Sequence, residues 1–255
     1  MNGFLFTLRD RLVEAARARL GSPLKLVSFT GNPEADKLVN DLDGYPHAFV
    51  IACIMDRQIR AERAWLIPHN LRQRLGYFEF GRLVDATQQE LAAAMTLPTP
   101  LHRMPNKMSV VLHLAIRNIS CTYGGDAALI WSGRPSSATI VRRFLEFRDV
   151  GQKIATMAAN ILVREFHVPI SDCYSIDISV DVQIRRVFSR LGFVPEDAQS
   201  EYIVYRAREL HPEYPGIFDG ILWETGRESC HPTGPDCAKC QYSDLCAYAK
   251  RASMK

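Results

Sequence analysis

Four of the seven cysteines lie in one short stretch near the C-terminus, ESCHPTGPDCAKCQYSDLC, residues 228–246. They follow one another with the spacing C-x6-C-x2-C-x5-C. Thiolates this close can surround one small metal centre when the loop is tight, and Pro232, Gly234 and Pro235 supply that stiffness. Four thiolates suit zinc or an iron–sulfur cluster, although zinc sites more often carry two C-x2-C pairs and this stretch has one. The candidate metal ligands are Cys230, Cys237, Cys240 and Cys246.

Composition and charge narrow the class of protein. The chain has 255 residues, of which 47% are hydrophobic, enough for one large core or two smaller ones. No apolar run reaches membrane-spanning length, and the start, MNGFLFTLRDRL, lacks a cleavage site, so we expect a cytoplasmic protein. Disulfides are not expected there, and Cys53, Cys121 and Cys173 are predicted to be buried small hydrophobes. A net charge of +3 permits a nucleic-acid partner without requiring one.

Apolar residues recur at helical spacing along most of the chain, and strand signals are sparse. One segment opens on Asp181 and closes on Gly192, and another closes on Gly226, as helix caps and stops do. The sequence therefore predicts an all-α protein with short connections. The clearest helical segments are 6–20, 106–120, 136–147, 151–166, 181–192 and 216–226.

The cysteine spacing is that of the iron–sulfur loop of endonuclease III, and other segments resemble the same family, the helix-hairpin-helix DNA glycosylases. Their hairpin typically reads L-P-G-V-G-x-K-T-A. The segment FRDVGQKIATMAANIL, residues 147–162, resembles this hairpin and its second helix. Val150, Gly151, Lys153 and Ala155 fall on the family's positions.

Two further segments carry the resemblance. SVDVQIRRVFSRLGFVP, residues 179–195, resembles the family's V-D-x-H segment and puts Asp181 in the place of the catalytic aspartate. Upstream, Gln58 falls where the family has the glutamine of S-A-Q-A-T. The resemblance runs from about residue 44 to residue 246, which is most of the chain.

The resemblance implies a two-domain glycosylase fold. Residues 42–162 are expected to form a six-helix barrel that ends in the helix-hairpin-helix, and residues 1–41 with 163–255 a discontinuous domain around the cysteine loop. It also implies one 4Fe–4S cluster on the four cysteines. The protein is expected to be a monomer that binds double-stranded DNA containing a damaged or modified base, with the DNA across the cleft between the domains. The expected DNA contacts are Gln58, Arg148, Val150, Gly151 and Lys239.

The two candidate catalytic residues also make chemical sense by themselves. Breaking the bond from sugar to base leaves positive charge on the sugar, which a carboxylate such as Asp181 stabilises, and the positive end of a helix favours its ionised form. Lys153 lies in the first turn of its predicted helix, where the dipole disfavours the ammonium and so favours a nucleophilic amine. Such an amine can form a Schiff base with the sugar and cut the strand by β-elimination.

Plainer roles are open for each of these residues. A lysine in a first turn is usually a solvated charge, and an aspartate at a helix start is usually only a cap. Asp177 is the alternative carboxylate. Gln58 either fills the gap left by a flipped base or is an ordinary polar residue at a helix–loop junction.

The chain departs from the family's pattern in three places. Arg148 and Asp149 replace the proline and first glycine of the hairpin, which puts backbone binding of a DNA phosphate in doubt, although aspartate tolerates a left-handed turn. Gln183 replaces the family's histidine. Lys153 and Asp181 are 28 positions apart (181 minus 153), and the surplus lies in residues 164–177. In that insertion His167, Asp172 and Tyr174 are candidates to contact an extruded base, or the segment is a plain surface loop.

Three functions remain in competition at this point. The first is a bifunctional DNA glycosylase and abasic-site lyase of base excision repair, the second a glycosylase that uses water, and the third a non-catalytic iron–sulfur protein that binds DNA. The ordinary substrates of the nearest relatives in the family are oxidised pyrimidines, and another lesion or a modified base is open as the substrate of this chain.

Overall fold

The computed structural model describes residues 3–253, and all regular structure in that range is helical, as predicted. Three short 3-10 turns accompany the α-helices. The helices are α1 (Gly3–Leu20), α2 (Pro33–Asn40), α3 (Pro46–Met55), α4 (Ala61–Trp65), α5 (Ile67–Leu75), α6 (Phe80–Leu83), α7 (Gln88–Thr96), α8 (Pro105–Tyr123), α9 (Ser137–Leu145), α10 (Gln152–Arg164), α11 (Val182–Leu191), α12 (Ser200–Leu210), α13 (Asp219–Glu228) and α14 (Ala247–Ser253).

The described chain forms two compact units. The hairpin unit comprises residues 24–135 and 139–158 and contains the turn between α9 and α10. The cysteine unit comprises the described parts of residues 1–23, 136–138 and 159–255. Residues 24–41, which the predicted domain boundaries group with the cysteines, lie in the hairpin unit. Compactness alone does not show which parts fold independently, so the domain boundaries stay a prediction.

A helix that is buried on every side lies in the core of the hairpin unit. All residues of α3, PHAFVIACIM, are buried, and the polar one among them, His47, has a hydrogen bond with the Phe78 carbonyl at 2.8 Å. Helices α2, α5 and α8 pack against it. The helix ends at Met55, and the short loop that follows carries Gln58. The core therefore fixes where this loop begins.

Helices α11 and α13 pack closely in the cysteine unit. Gly192 ends α11 in the left-handed conformation (φ 97°), as predicted. Gly226 was predicted to end a helix, and this is wrong, because α13 continues to Glu228. The glycine is needed for packing instead: a Cβ atom at this position would come within 2.9 Å of both Cβ and Oε1 of Gln183 on α11.

The N-terminal helix packs beside the cysteine loop. Arg11 on α1 donates two hydrogen bonds to the Asp244 carboxylate at 2.7 and 2.9 Å and a third to the Gln241 carbonyl at 2.6 Å. Its guanidinium also lies over the ring of Tyr242. In the part of the chain that the structure describes, no helix has the length and apolar character needed to span a bilayer.

Candidate active site

The segment that resembles the hairpin is a tight turn between α9 and α10. The Val150 N–H donates to the Phe147 carbonyl at 3.1 Å, and Asp149 adopts the left-handed conformation with φ 61°. The prediction that aspartate would preserve this turn is confirmed. Gly151 is exposed, and a Cβ atom there would meet nothing within 4 Å. The turn therefore leaves the backbone at Gly151 open to approach by a ligand.

Lys153 is the second residue of α10 and lies in its first turn, as predicted. Its side chain is half-buried, and Nζ lies 3.9 Å from the sulfur of Met157 one turn later. Burial and Asp56 raise the pKa of the nearby Cys53 thiol well above its ordinary value, and the charge of Lys153 opposes that rise. Within the described residues Lys153 has no carboxylate in an ion pair with it, so its amine is not committed to a salt bridge.

Asp181 is the N-cap of α11, which confirms the sequence-based interpretation. Its Oδ1 accepts the backbone N–H groups of Gln183 and Ile184 at 2.9 and 2.8 Å. Two such donors at a helix N-terminus fix the orientation of the carboxylate. The residue is half-exposed, so the carboxylate is both fixed in direction and accessible to a ligand.

Hydrogen bonds from buried polar groups hold the segment that leads into Asp181. Asn160 donates to the Asp177 carbonyl at 3.0 Å, and the Ser179 N–H donates to Asp219 Oδ1 at 2.7 Å. Burial raises the pKa of the Asp219 carboxyl, an effect that Arg164 opposes. These bonds hold the backbone on both sides of residue 178, and they limit how far the Asp181 cap can move.

Asp177, the alternative carboxylate, is committed elsewhere. It is buried, and both of its oxygens accept from the Arg208 guanidinium, at 2.7 and 2.8 Å. A bidentate pair of this kind fixes the carboxylate and neutralises its charge. The geometry therefore favours Asp181 over Asp177 as the group available to a substrate.

Gln58 lies on the loop after α3 with an exposed side chain and a left-handed backbone, φ 55°. This conformation is uncommon for residues other than glycine, asparagine and aspartate, and strained residues cluster at ligand sites. The strain supports a functional role for Gln58 rather than that of an ordinary polar residue. The proposed contact with DNA stays a prediction.

The four clustered cysteines line one pocket, together with Arg190 and Tyr248. Burial raises the pKa of Cys237, and the neighbouring thiols of Cys230 and Cys240 raise it further. Burial also raises the pKa of Cys246. The thiols are thus close enough to repel one another as thiolates, which is the situation that a bound cation relieves.

Two arginines of α11 hold the cysteine loop from its side. Arg186 donates to the carbonyls of Cys230 and Gly226 at 2.6 and 2.7 Å. Arg190 donates to the His231 carbonyl at 2.6 Å and to the Cys230 sulfur at 3.4 Å. Hydrogen bonds therefore connect α11, the helix that Asp181 caps, to the loop that carries the cysteines.

The chemistry of the donor set fits a thiolate-bound metal centre. Four thiolates suit either zinc or an iron–sulfur cluster, and all four line one pocket. Among residues 3–253 no group of three His, Cys, Asp or Glu side chains forms a site for a metal ion. The kind of centre stays a prediction.

The other cysteines differ in their surroundings. Cys53 is buried in α3, as predicted. The prediction is wrong for Cys121, which is exposed. Cys121 lies one turn after the exposed Arg117 on α8, on the face of the helix that points away from the core. Cys173 is half-buried, and burial raises the pKa of its thiol to about 11.

The insertion at residues 164–177 is tied to the start of α9. The Ser137 hydroxyl donates to the Asp172 carboxylate and accepts the Ser175 N–H at 3.0 Å. The hydrogen bond from Ser137 lowers the pKa of Asp172. Because its carboxylate is bonded to Ser137, Asp172 ties the insertion to the start of α9 rather than pointing to a base. Tyr174 is 63% exposed. Contact of Tyr174 or His167 with an extruded base stays a prediction.

Lys239 is an exposed side chain of the cysteine loop whose Nζ pairs with Asp236 at 2.7 Å. A phosphate contact would have to share the ammonium with that carboxylate. Sequence reasoning missed Arg57, whose guanidinium donates to the Asp149 carbonyl at 2.9 Å, and Lys107, which pairs with the Asp149 carboxylate. The available signal was Asp149 itself, because an acidic side chain in a tight turn favours cationic partners nearby.

No protein-family model matches the chain, and no curated protein sequence does. Solved structures do match. A trapped covalent intermediate of endonuclease III with DNA, in its estranged-adenine complex, has a TM-score of 0.65 at 18% identity and covers 99% of this chain and 100% of its own. A non-covalent endonuclease III–DNA complex has the same TM-score and identity with both chains covered in full. A thermostable thymine-DNA glycosylase matches with a TM-score of 0.64 at 18% identity over 96% of this chain and 98% of its own. The chain has the helix-hairpin-helix fold of these glycosylases, as predicted.

Proposed function

We propose that this protein is a DNA glycosylase of base excision repair that excises a damaged or modified base from double-stranded DNA. The observation that carries the proposal is the placement of two residues at helix N-termini: Lys153 directly after the hairpin turn and Asp181 capping α11. Both occur in a chain with the fold of endonuclease III, which has been captured as a covalent intermediate with DNA. A base inside a duplex must be flipped out before it can be attacked.

Asp181 is proposed to act on base release. As the bond from C1′ to the base lengthens, its electron pair moves to the base and positive charge grows on the sugar. A carboxylate held by two backbone N–H donors is already oriented, so it stabilises this charge without reorganising. Asp177 is not suited to this task because Arg208 neutralises it.

Lys153 is proposed to be the nucleophile, which makes the enzyme bifunctional. Its neutral amine attacks C1′, a C–N bond forms, and the base departs with the electron pair of its bond. The ring oxygen then leaves C1′ and takes a proton, which gives a Schiff base. Loss of a proton from C2′ expels the 3′ phosphate by β-elimination and cuts the strand. The absence of a salt bridge on the Lys153 amine among the described residues supports this role.

One 4Fe–4S cluster is proposed to be held by Cys230, Cys237, Cys240 and Cys246. The support is the shared pocket of the four cysteines and their spacing along the chain. When bound, such a cluster supplies folding energy to the loop rather than chemistry at the sugar. Arg186 and Arg190 then transmit the rigidity of the loop to α11.

DNA contacts are proposed from Gln58, Arg148, Val150, Gly151 and Lys239. The exposed, strained backbone of Gln58 and the open backbone at Gly151 support the first and fourth of these. The Val150 N–H is already used inside the turn, so its contribution would be to shape the hairpin rather than to donate to a phosphate.

Two measurements test the function. Duplexes carrying single oxidised, deaminated or alkylated bases would show whether a base is excised and which one. Borohydride reduction on DNA with an abasic site would trap the Schiff base as a covalent complex if the enzyme is bifunctional. Excision without trapping would support a glycosylase that uses water. Failure of both, with DNA binding intact, would leave the non-catalytic DNA-binding protein.

A further inference from the structure

The carboxylate of the hairpin turn is surrounded by cations of its own unit. Lys107 Nζ on α8 lies 2.9 Å from Asp149 Oδ2, and Arg148 Nε lies 3.5 Å from Oδ1. The guanidinium of Arg57 also donates to the Asp149 backbone carbonyl, at 2.9 Å. The hydrogen bond from Lys107 lowers the pKa of Asp149. The turn therefore carries an ionised carboxylate that bridges two cationic side chains.

The two cations are exposed while the carboxylate is sheltered. The side chains of Lys107 and Arg148 are 57% and 70% exposed, and that of Asp149 is 28% exposed. Each oxygen of the carboxylate faces one cation. A phosphodiester group also offers two anionic oxygens, and the same donors recognise both kinds of oxyanion.

We infer that Asp149 is an internal counter-anion of a phosphate site formed by Lys107 and Arg148, and that a DNA phosphodiester replaces it when the duplex binds. The inference rests on the proposed function. It assigns phosphate binding to two side chains, one of them on α8, and it makes the hairpin self-inhibiting in the absence of DNA. Exposed ion pairs are weak and exchange easily, so the carboxylate can be displaced.

This arrangement has a consequence for the salt dependence of binding. A lysine or arginine that neutralises a phosphate releases counterions condensed on the DNA, and the slope of log K against log salt reports the net number of ions released. When a phosphate displaces Asp149 from its cations, the freed carboxylate takes up a cation from solution, which lowers the net number released. Removal of the carboxylate should therefore tighten binding to any duplex and steepen its salt dependence.

The test is a fluorescence-anisotropy titration of undamaged duplex DNA over a range of salt concentrations with Asp149→Asn. Asparagine keeps the size of the side chain and tolerates the left-handed turn. We expect binding to be tighter by about threefold to tenfold at low salt, with a slope larger by about one. Asp149→Gly, which suits the same backbone, should act in the same direction. Asp85→Asn removes an equal charge from an exposed position between α6 and α7 and serves as the matched control.

Lys107→Gln supplies the second arm. It should weaken binding more in the Asp149→Asn background than in the natural sequence, because only there is Lys107 fully available to phosphate. If the natural protein binds DNA but Asp149→Asn and Asp149→Gly bind no more tightly, the inference is wrong and the proposed function stands. If the natural protein binds no DNA at any salt concentration, the proposed function is wrong and the inference falls with it.

Discussion

Lys153 and Asp181 both lie at helix N-termini, Lys153 in the first turn of α10 and Asp181 as the N-cap of α11, and we propose a different catalytic role for each. Lys153→Gln should abolish the borohydride-trapped complex and strand cleavage, because glutamine cannot form a Schiff base, while binding to duplex DNA persists. Trapping measured on abasic-site DNA, with anisotropy for binding, checks both halves. Lys25→Gln removes another lysine of the same unit and should keep full trapping. Undiminished strand cleavage by Lys153→Gln would place the nucleophile elsewhere.

Asp181→Asn separates the charge of the residue from its role as a helix cap. Asparagine caps a helix about as well as aspartate, so the melting temperature should hardly change. A neutral amide cannot balance charge growing on the sugar, and base release should slow on the order of a hundredfold or more. Cleavage of a preformed abasic site should suffer less, because that step needs the amine and not the departure of a base. Single-turnover rates on lesion-bearing and abasic duplexes would measure the difference.

Asp177→Asn should show the opposite pattern. Its bidentate pair with Arg208 would lose a charge-assisted hydrogen bond at a buried site, at a cost of about 1–3 kcal/mol in the free energy of unfolding. The rate of base release per folded molecule should stay close to that of the natural protein. Urea unfolding and single-turnover excision on the same samples would decide. A crippled Asp177→Asn beside a mild Asp181→Asn would make Asp177 the catalytic carboxylate.

Residue-level chemistry was predictable from the sequence where it depended on local backbone. The cap at Asp181 and the left-handed turn at Asp149 follow from side chains acting on their own neighbours. The roles of Arg57, Lys107 and Arg208 were not predictable, because each contacts a partner far away in the chain. A long arginine or lysine side chain leaves no periodic signal that identifies such a partner.

Helix α11 connects the Asp181 cap with the cysteine loop. Asp181 caps its N-terminal end, and Arg190 near its C-terminal end donates to the His231 carbonyl of the loop. Its contact with α13 requires Gly226. Gly226→Ala would place a Cβ atom within 2.9 Å of Gln183, and overpacking of this kind costs about 1–3 kcal/mol. A lower urea midpoint followed by circular dichroism is the expected result.

The same change at Gly81 is the matched control for this contact. Gly81 lies in α6, and a Cβ atom there would meet nothing within 4 Å. Gly81→Ala should be neutral or stabilise by about 0.4–1 kcal/mol, because alanine restricts the unfolded chain. Equal effects of the two substitutions would show that close packing at Gly226 is unimportant.

Gly226 also illustrates what helical periodicity does not reveal. A glycine after a run of apolar residues signals either a helix end or a close helix–helix contact, and only the partner helix distinguishes them. Gly192 fits the first case and Gly226 the second. The central positions of the predicted helices were therefore right, whereas this boundary was wrong.

For the molecule as a whole, a few local motifs predicted more than the overall sequence similarity did. Neither a family model nor a curated sequence matches the chain, yet it shares its fold with endonuclease III at 18% identity. Four cysteines at fixed spacing and a hairpin sequence are specific signals, because the proposed metal centre and a tight turn both tolerate few alternatives. Core positions such as Phe49 and Ile51 of α3 need only be apolar and of suitable size, so their identities drift without loss of the fold.

The cysteine loop yields the prediction that concerns the folded molecule as a unit. The purified protein should be yellow-brown with a broad absorption near about 400 nm, and should contain iron and sulfide. Cys→Ala at Cys230, Cys237, Cys240 or Cys246 should remove the colour and lower the melting temperature, because binding of the centre is also folding energy for the loop. Cys121→Ala is the matched control, since Cys121 is exposed on α8 and its loss should leave colour and stability unchanged.

Because Arg186 and Arg190 join the loop to α11, loss of the centre should also slow base release, by loosening the helix that Asp181 caps. A colourless protein with stoichiometric zinc would contradict the cluster and would leave the loop as a structural zinc site.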